Sequence, residues 1–213
     1  MKVRSLTVGP FQENAYLVID DATNRAVLID PGAEPERLLA LIRDAGVTLD
    51  AIWLTHAHID HIGGIAGVRR EHDVPVHLHT DDLPLFERGE MQASMYGVPF
   101  EQPDAPSHQL VDGQTIHVGD LAFDVLHVPG HAPGHVMFKH GHTVFGGDLL
   151  FAGSIGRTDL PFADPVKMET SLARICALDD ATVVHPGHGP QTTVGRERAT
   201  NGFLTGAARI VKR

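Results

Sequence analysis

The sequence predicts an α/β protein in which two mixed sheets pack face to face with helices on both outer faces, an αββα sandwich built by residues 1–213 as one domain. Two observations predict it. The first half alternates apolar strand runs with helical patterns, the rhythm of βαβ units, whereas the second half opens with short strands separated by Gly and Gly-Asp turns. At 213 residues and 42% hydrophobic content the chain can also bury a sizeable core.

Taken in order, residues 14–20 and 25–30 read as strands paired through the polar turn Asp21–Asn24. Pro35 and Gly46 bracket a helix carrying Leu38, Leu39, Leu41 and Ile42. A buried strand follows over 51–55, then a helix over 61–71 and a strand over 75–79. Residues 89–107 read as a long loop with Met91, Met95, Tyr96 and Phe100, expected to cover a cleft and shape a pocket. Strands are expected over 115–118, 121–128, 135–140 and 142–145. A helix over 165–178 carries Met168, Leu172, Ile175 and Cys176 on one side, and strand 181–184 and a polar helix from about 194 complete the chain.

The net charge of −10, with no Lys/Arg cluster able to track a phosphate backbone, argues against a nucleic-acid partner. Arg209 and Lys212-Arg213 read as a solvated basic tail. No signal-peptide pattern and no stretch of ~18 apolar residues is found, so no membrane association is expected. Cys176 is the only cysteine, which rules out an intramolecular disulfide and makes the cytoplasm the default compartment. The state expected is a monomer or homodimer acting on a small molecule.

Chemistry concentrates in Thr55-His-Ala-His-Ile-Asp-His-Ile-Gly-Gly64. Imidazole and carboxylate are ligand types that zinc, iron and manganese accept. His56 and His58 leave the strand end on one side, ~6–7 Å apart. The adjacent Asp60 and His61 cannot share one face of a regular element, so a second direction of approach opens and two metal ions suit the set better than one. Gly63-Gly64 lets the chain turn past the site, since glycine tolerates backbone angles that other residues avoid. Three more candidates lie beside glycine after strand-like runs: His131, Asp148 and His188. Seven ligands result, suited to two divalent ions, zinc first with iron or manganese accepted, ~3.5–4 Å apart with one carboxylate bridging. Ten other histidines fall outside this set, and of these His77, His79, His127, His140, His142 and His185 read as structural or solvated.

The order His-x-His-x-Asp-His, Gly-His, Gly-Asp, Gly-His resembles that of the metallo-β-lactamase superfamily hydrolases. Asn14-Ala-Tyr-Leu-Val18, Phe151-Ala-Gly-Ser-Ile-Gly-Arg-Thr-Asp-Leu160 and Gly187-His-Gly-Pro-Gln-Thr-Thr193 resemble the glyoxalase II (hydroxyacylglutathione hydrolase-like) branch, in its short single-domain form. The resemblance implies a metallo-β-lactamase-like fold, with His56, His58 and His131 on one metal. It implies Asp60, His61 and His188 on the other, Asp148 bridging, and Asp60 and Asp148 serving catalysis. Arg157 falls where the branch carries a cation near the substrate thiol moiety. Two departures stand out. His135 replaces a small hydroxyl residue, and the chain stops before the C-terminal helical extension that holds glutathione in longer enzymes.

The expected reaction is thioester hydrolysis of an S-2-hydroxyacylglutathione such as S-lactoylglutathione, by a hydroxide held between the ions. The adjacent cation stabilises the oxyanion. A thiol of pKa near ~8.5 leaves without a dedicated general acid, and no Ser-His-Asp or Cys-His arrangement is evident. The alternative is a mono-iron persulfide dioxygenase acting on glutathione persulfide. A β-lactamase rests on fold alone.

Overall fold

The computed structural model describes residues 1–210, so Lys212 and Arg213 of the expected basic tail lie outside the described residues, while Arg209 is exposed. The chain runs β1 (Lys2–Val8), β2 (Glu13–Asp20), β3 (Arg25–Ile29), α1 (Pro35–Ala45), β4 (Thr48–Trp53), α2 (Ile59–Ile62), α3 (Ile65–Glu71) and β5 (Val76–His79). A 3₁₀ turn at Thr80–Asp82 leads into α4 (Leu83–Phe86), α5 (Gly89–Tyr96) and β6 (His108–Leu110). Then come β7 (Thr115–Val118), β8 (Leu121–His127), β9 (Val136–His140), β10 (Thr143–Gly147), β11 (Leu150–Phe151) and β12 (Ser154–Ile155). α6 (Pro165–Cys176), β13 (Val183–Pro186), β14 (Thr192–Thr193), α7 (Val194–Thr200) and α8 (Gly202–Thr205) follow.

Among the described residues, two six-stranded sheets form, in the orders β1-β2-β3-β4-β5-β6 and β14-β13-β10-β9-β8-β7. Both are mixed, as the sequence predicts: β3, β4, β5 and β6 run parallel in the first, and β10 pairs β13 parallel in the second.

The layering follows from the period of two along a strand. Tyr16 and Val18 of β2, Val27 and Ile29 of β3, and Ala51 and Trp53 of β4 point inward. They meet Phe123 and Val125 of β8, Val136 and Phe138 of β9, and Phe145 of β10 to form the layer between the sheets. The alternate residues Leu17, Leu28 and Ile52 face outward and are covered by Leu38 and Ile42 of α1 and Ile65 and Val68 of α3. On the far side, Met137, Val144 and Val184 are covered by Met168, Leu172 and Ile175 of α6 and Val194 of α7. Central strands bury both faces, which is why β2 reads as a continuous apolar run.

Three expectations are corrected. The helix over 61–71 is two pieces, broken at Gly63-Gly64. Those glycines have ordinary negative φ (−64° and −93°), so their role is close approach: a Cβ on Gly63 would strike the Gly32 carbonyl. The expected loop over 89–107 opens with α5, and the segment leads directly into β6, an additional parallel edge strand. β1 was not expected as a strand either, because an exposed edge strand needs no apolar run. No helix among the described residues is long and apolar enough to cross a membrane.

Candidate metal centre

The predicted ligands all lie just beyond strand ends. His56 and His58 follow β4, and Asp60 and His61 lie on α2. His131 follows β8, Asp148 follows β10 and His188 follows β13. β8, β10 and β13 share one direction through their pairings, so their C-terminal ends gather along one edge of the second sheet. The two sheets are stitched together there by Val136 N–H to the Thr55 carbonyl (2.8 Å) and Asn14 N–H to the Gly187 carbonyl (2.8 Å).

The structure brings all seven side chains together. One donor atom each from His56, His58 and His131 lie within 4.8 Å of one another, and the same holds for Asp60, His61 and His188. Asp148 stands between the sets: Oδ1 is 3.5 Å from His61 Nε2, while Oδ2 is 3.4 Å from both His131 Nε2 and His188 Nε2. A second oxygen, Asp60 Oδ2, lies 3.3 Å from His188 Nε2. Gly187 is required beside this carboxylate, since a Cβ there would collide with Asp148 Oδ1.

Divalent cations fit this donor set. His56 Nε2, His61 Nε2 and Asp148 Oδ1 are buried with no hydrogen-bond partner, which is costly unless a cation satisfies them. Their neighbours aim them. Thr55 Oγ1 donates to Asp30 Oδ2 (2.6 Å) and so accepts from His56 Nδ1–H (3.0 Å). His61 Nδ1–H donates to Asp30 Oδ2 (3.0 Å), and His131 Nδ1–H donates to the Arg157 carbonyl (2.8 Å). Each contact puts the proton on Nδ1 and turns the Nε2 lone pair toward the site, where that of His131 meets His58 Nδ1 at 2.8 Å, the usual arrangement behind metal-bound histidine. Asp30 is thus an orienting carboxylate, anchored further by Thr55 N–H at 2.7 Å.

Charge is distributed to match. Burial and then His131 push His58 down to about 3, so it stays a neutral donor. Burial opposes ionisation of Asp148, yet His61, His188 and His131 hold its carboxyl well below the usual range. His188 loses affinity for its proton through burial but regains more from Asp148 and Asp60, which raise it to about 10 in the absence of metal. Ligation must displace that proton.

Two buried side chains brace the ligand loops. Asp82 accepts from Ala57 N–H at 2.9 Å and Gly134 N–H at 2.5 Å, joining the His56–His58 turn to the His131–His135 loop. Burial, opposed by these two hydrogen bonds, raises its carboxyl to about 6. Gln92 of α5 accepts from Ile59 N–H (3.1 Å) and donates to the carbonyls of Ala57 (3.2 Å) and Leu85 (2.9 Å). His135, the departure noted above, is fully buried, and its Nε2 accepts the Asp148 backbone N–H at 3.0 Å. Asp30, Asp82 and Gln92 are functional neighbours that lie outside the ligand motifs of the sequence. Asp30 carried a usable signal, a carboxylate ending a strand before Pro-Gly; Asp82 and Gln92 carried none.

Arg157 lines the cleft above this floor, and its guanidinium forms a two-pronged contact with Asp159 (2.9 Å each). Met91, Met95 and Tyr96 also line it, so the 89–107 segment shapes the pocket, but from a helix latched by Gln92. His77 and His79 are strand residues of β5, as expected. His79 and Asp81 gather with His127, but the two rings stack 4.2 Å apart at 8°, so their in-plane lone pairs do not converge on a shared point.

Comparison with known proteins finds relatives over nearly the whole chain. The family described as Metallo-beta-lactamase superfamily matches residues 8–188. The hydroxyacylglutathione hydrolase GloC of Haemophilus influenzae is 36% identical over 96% of this chain and 98% of its own length. Among solved structures, TTHA1623 in a di-iron-bound form is 50% identical, covering 95% of this chain and 100% of that one (TM-score 0.89). The BLEG-1 B3 metallo-beta-lactamase is 37% identical over 96% of this chain and 100% of that one (TM-score 0.90). ETHE1 from Myxococcus xanthus is 29% identical over 97% of this chain and 85% of that one (TM-score 0.81).

Proposed function

The chain belongs to the metallo-beta-lactamase superfamily, and from that premise we propose that it is a hydrolase of thioesters, with S-2-hydroxyacylglutathiones such as S-lactoylglutathione as the substrate class, working with two divalent ions. His56, His58 and His131 would hold one ion and Asp60, His61 and His188 the other. The observation that carries this reading is the place of Asp148, whose two oxygens reach members of both sets. The His-rich donor set with two carboxylates favours zinc, and iron suits it as well.

Divalent ions at such sites acidify water to near neutral pKa and polarise a carbonyl. The chain's own residues do the rest. Asp30, Thr55 and the Arg157 carbonyl hold His61, His56 and His131 in the tautomers that turn an Nε2 lone pair toward the site. Arg157 and Arg88 line the cleft and would meet the carboxylates of a glutathione arm. A thiolate leaving group needs no general acid, and Cys176 stands apart, half-buried on α6. The likeness to GloC supports the thioester; the complete second ligand set favours two ions over the mono-iron dioxygenase, for which the likeness to ETHE1 speaks.

Metal analysis of the purified protein, paired with assays on S-lactoylglutathione, glutathione persulfide and a chromogenic β-lactam, tests the proposal. Two ions per chain with thioester hydrolysis is the expected result. One iron per chain with oxygen consumption on the persulfide reverses the choice, and a two-metal protein that cleaves only the β-lactam removes it.

A further inference from the structure

Above the polar floor the cleft changes character. Among the described residues seven large hydrophobic side chains are exposed, and four of them, Met91 (52%), Met95 (63%), Tyr96 (44%) and Phe162 (46%), line this one cavity of about 260 Å³. Phe11 and Phe151 continue the apolar surface, with Phe11 meeting Tyr96 edge to face at 5.2 Å. Exposed apolar residues gathered beside a catalytic floor mark where an apolar group is received. Of the cleft's two arginines, Arg88 holds its guanidinium 4.9 Å over the Phe162 ring, and Arg157 is held by Asp159. Phe11, Met91, Met95 and Tyr96 contribute thioether and aromatic side chains to this lining. Methionine adapts to the shape of what it meets, which suits a bulky planar or branched group.

Resting on the thioester reading above, we infer that the preferred substrate carries a large apolar acyl group, of the size of an arene, seated against Phe11, Met91, Met95 and Tyr96, with the charged thiol arm directed toward Arg88 and Arg157. A lactoyl group offers this wall one methyl, whereas an aryl group covers it. In the reaction, water oxygen forms the new C–O bond and the C–S bond breaks with its electron pair on sulfur. Of the two water protons, one ends on the thiol and the other enters solvent as the carboxylic acid ionises.

S-mandeloylglutathione and S-lactoylglutathione separate the possibilities, because they share the thiol and the 2-hydroxy group and differ only in phenyl against methyl. The metal-loaded protein is expected to show a kcat/KM at least about tenfold higher for the mandeloyl ester, in the range that apolar pockets discriminate. In a Met91→Ser, Met95→Ser variant that retains its metal content, this ratio is expected to fall to within about threefold of unity. Equal or better use of the lactoyl ester overturns the inference and leaves thioester hydrolysis standing. Failure to cleave either ester overturns the functional reading and the inference with it. An unchanged ratio in the variant, with an altered sedimentation coefficient, assigns the face to a second copy of the chain and overturns the inference as well.

Discussion

The floor of the cleft and its walls are only a few side chains apart but are built in opposite ways. On the floor, three ligand imidazoles have the ring nitrogen facing away from the site engaged, and the backbone between them is pinned by Asp82 and Gln92. On the walls, thioethers and aromatic rings stand exposed, held by packing such as the Phe11–Tyr96 contact. Hydrogen bonds are directional and fix a ligand to a fraction of an ångström, whereas dispersion contacts tolerate shape. The chemistry is therefore rigidly specified while the substrate surface can adapt, the division expected of loops carried on a rigid scaffold.

Substitutions should break this contrast in graded order. The largest effect belongs to Asp148→Ala, which removes the carboxylate standing between the two sets. Loss of both metal and activity is expected, beyond the ~10–100-fold commanded by a ligand's hydrogen-bonding neighbour; activity within tenfold of wild type would refute a bridging role. Next comes Asp30→Ala, which frees His61 to rotate. Metal affinity should drop by ~10–100-fold, read by competition with a chelator, and unchanged affinity would deny Asp30 its orienting part. Asp82→Ala leaves the Ala57 and Gly134 N–H groups buried and unpaired, at about 1–3 kcal/mol each. Urea unfolding should show that loss, and a change under 1 kcal/mol would mean the loops hold themselves. The wall substitutions, by contrast, should change substrate preference without changing metal content.

The smallest effect separates the floor from the scaffold below it. His77 on β5 and His185 on β13 are both pushed down to about 4, His77 by burial and then His108, His185 by burial. The unfolded chain binds those protons from pH 6.5 downward and the folded chain does not. Their contribution to stability is complete above pH 6.5 and is lost as pH falls toward 4. His185→Gln should lower the slope of stability against pH in that window by about one proton; an unchanged slope would place the acid sensitivity elsewhere.

Most of the scaffold was legible because buried strands and amphipathic helices repeat at periods of 2 and 3.6. What escaped lacked a period. β1 is an exposed edge strand, β6 is three residues long, and α5 has a mixed sequence that tertiary contacts hold through Gln92. Gly63 and Gly64 were visible as glycines, but the carbonyls they must clear belong to Pro31 and Gly32, which only the folded chain brings near.

By itself the sequence determined which donors exist and where each stands relative to a strand end, because ligand chemistry is a property of the side chain and strand ends are marked by local pattern. Only the tertiary structure decided that residues as distant as His56 and His188 share one floor, since that depends on the β4 end of the first sheet packing against the end of the second, where β8, β10 and β13 run in one direction. It also decided which nitrogen of each ring faces the site, through Asp30, Thr55 and the Arg157 carbonyl. The exposed methionines of α5 could as well have been core; exposure depends on what packs against a helix, and no local pattern encodes it.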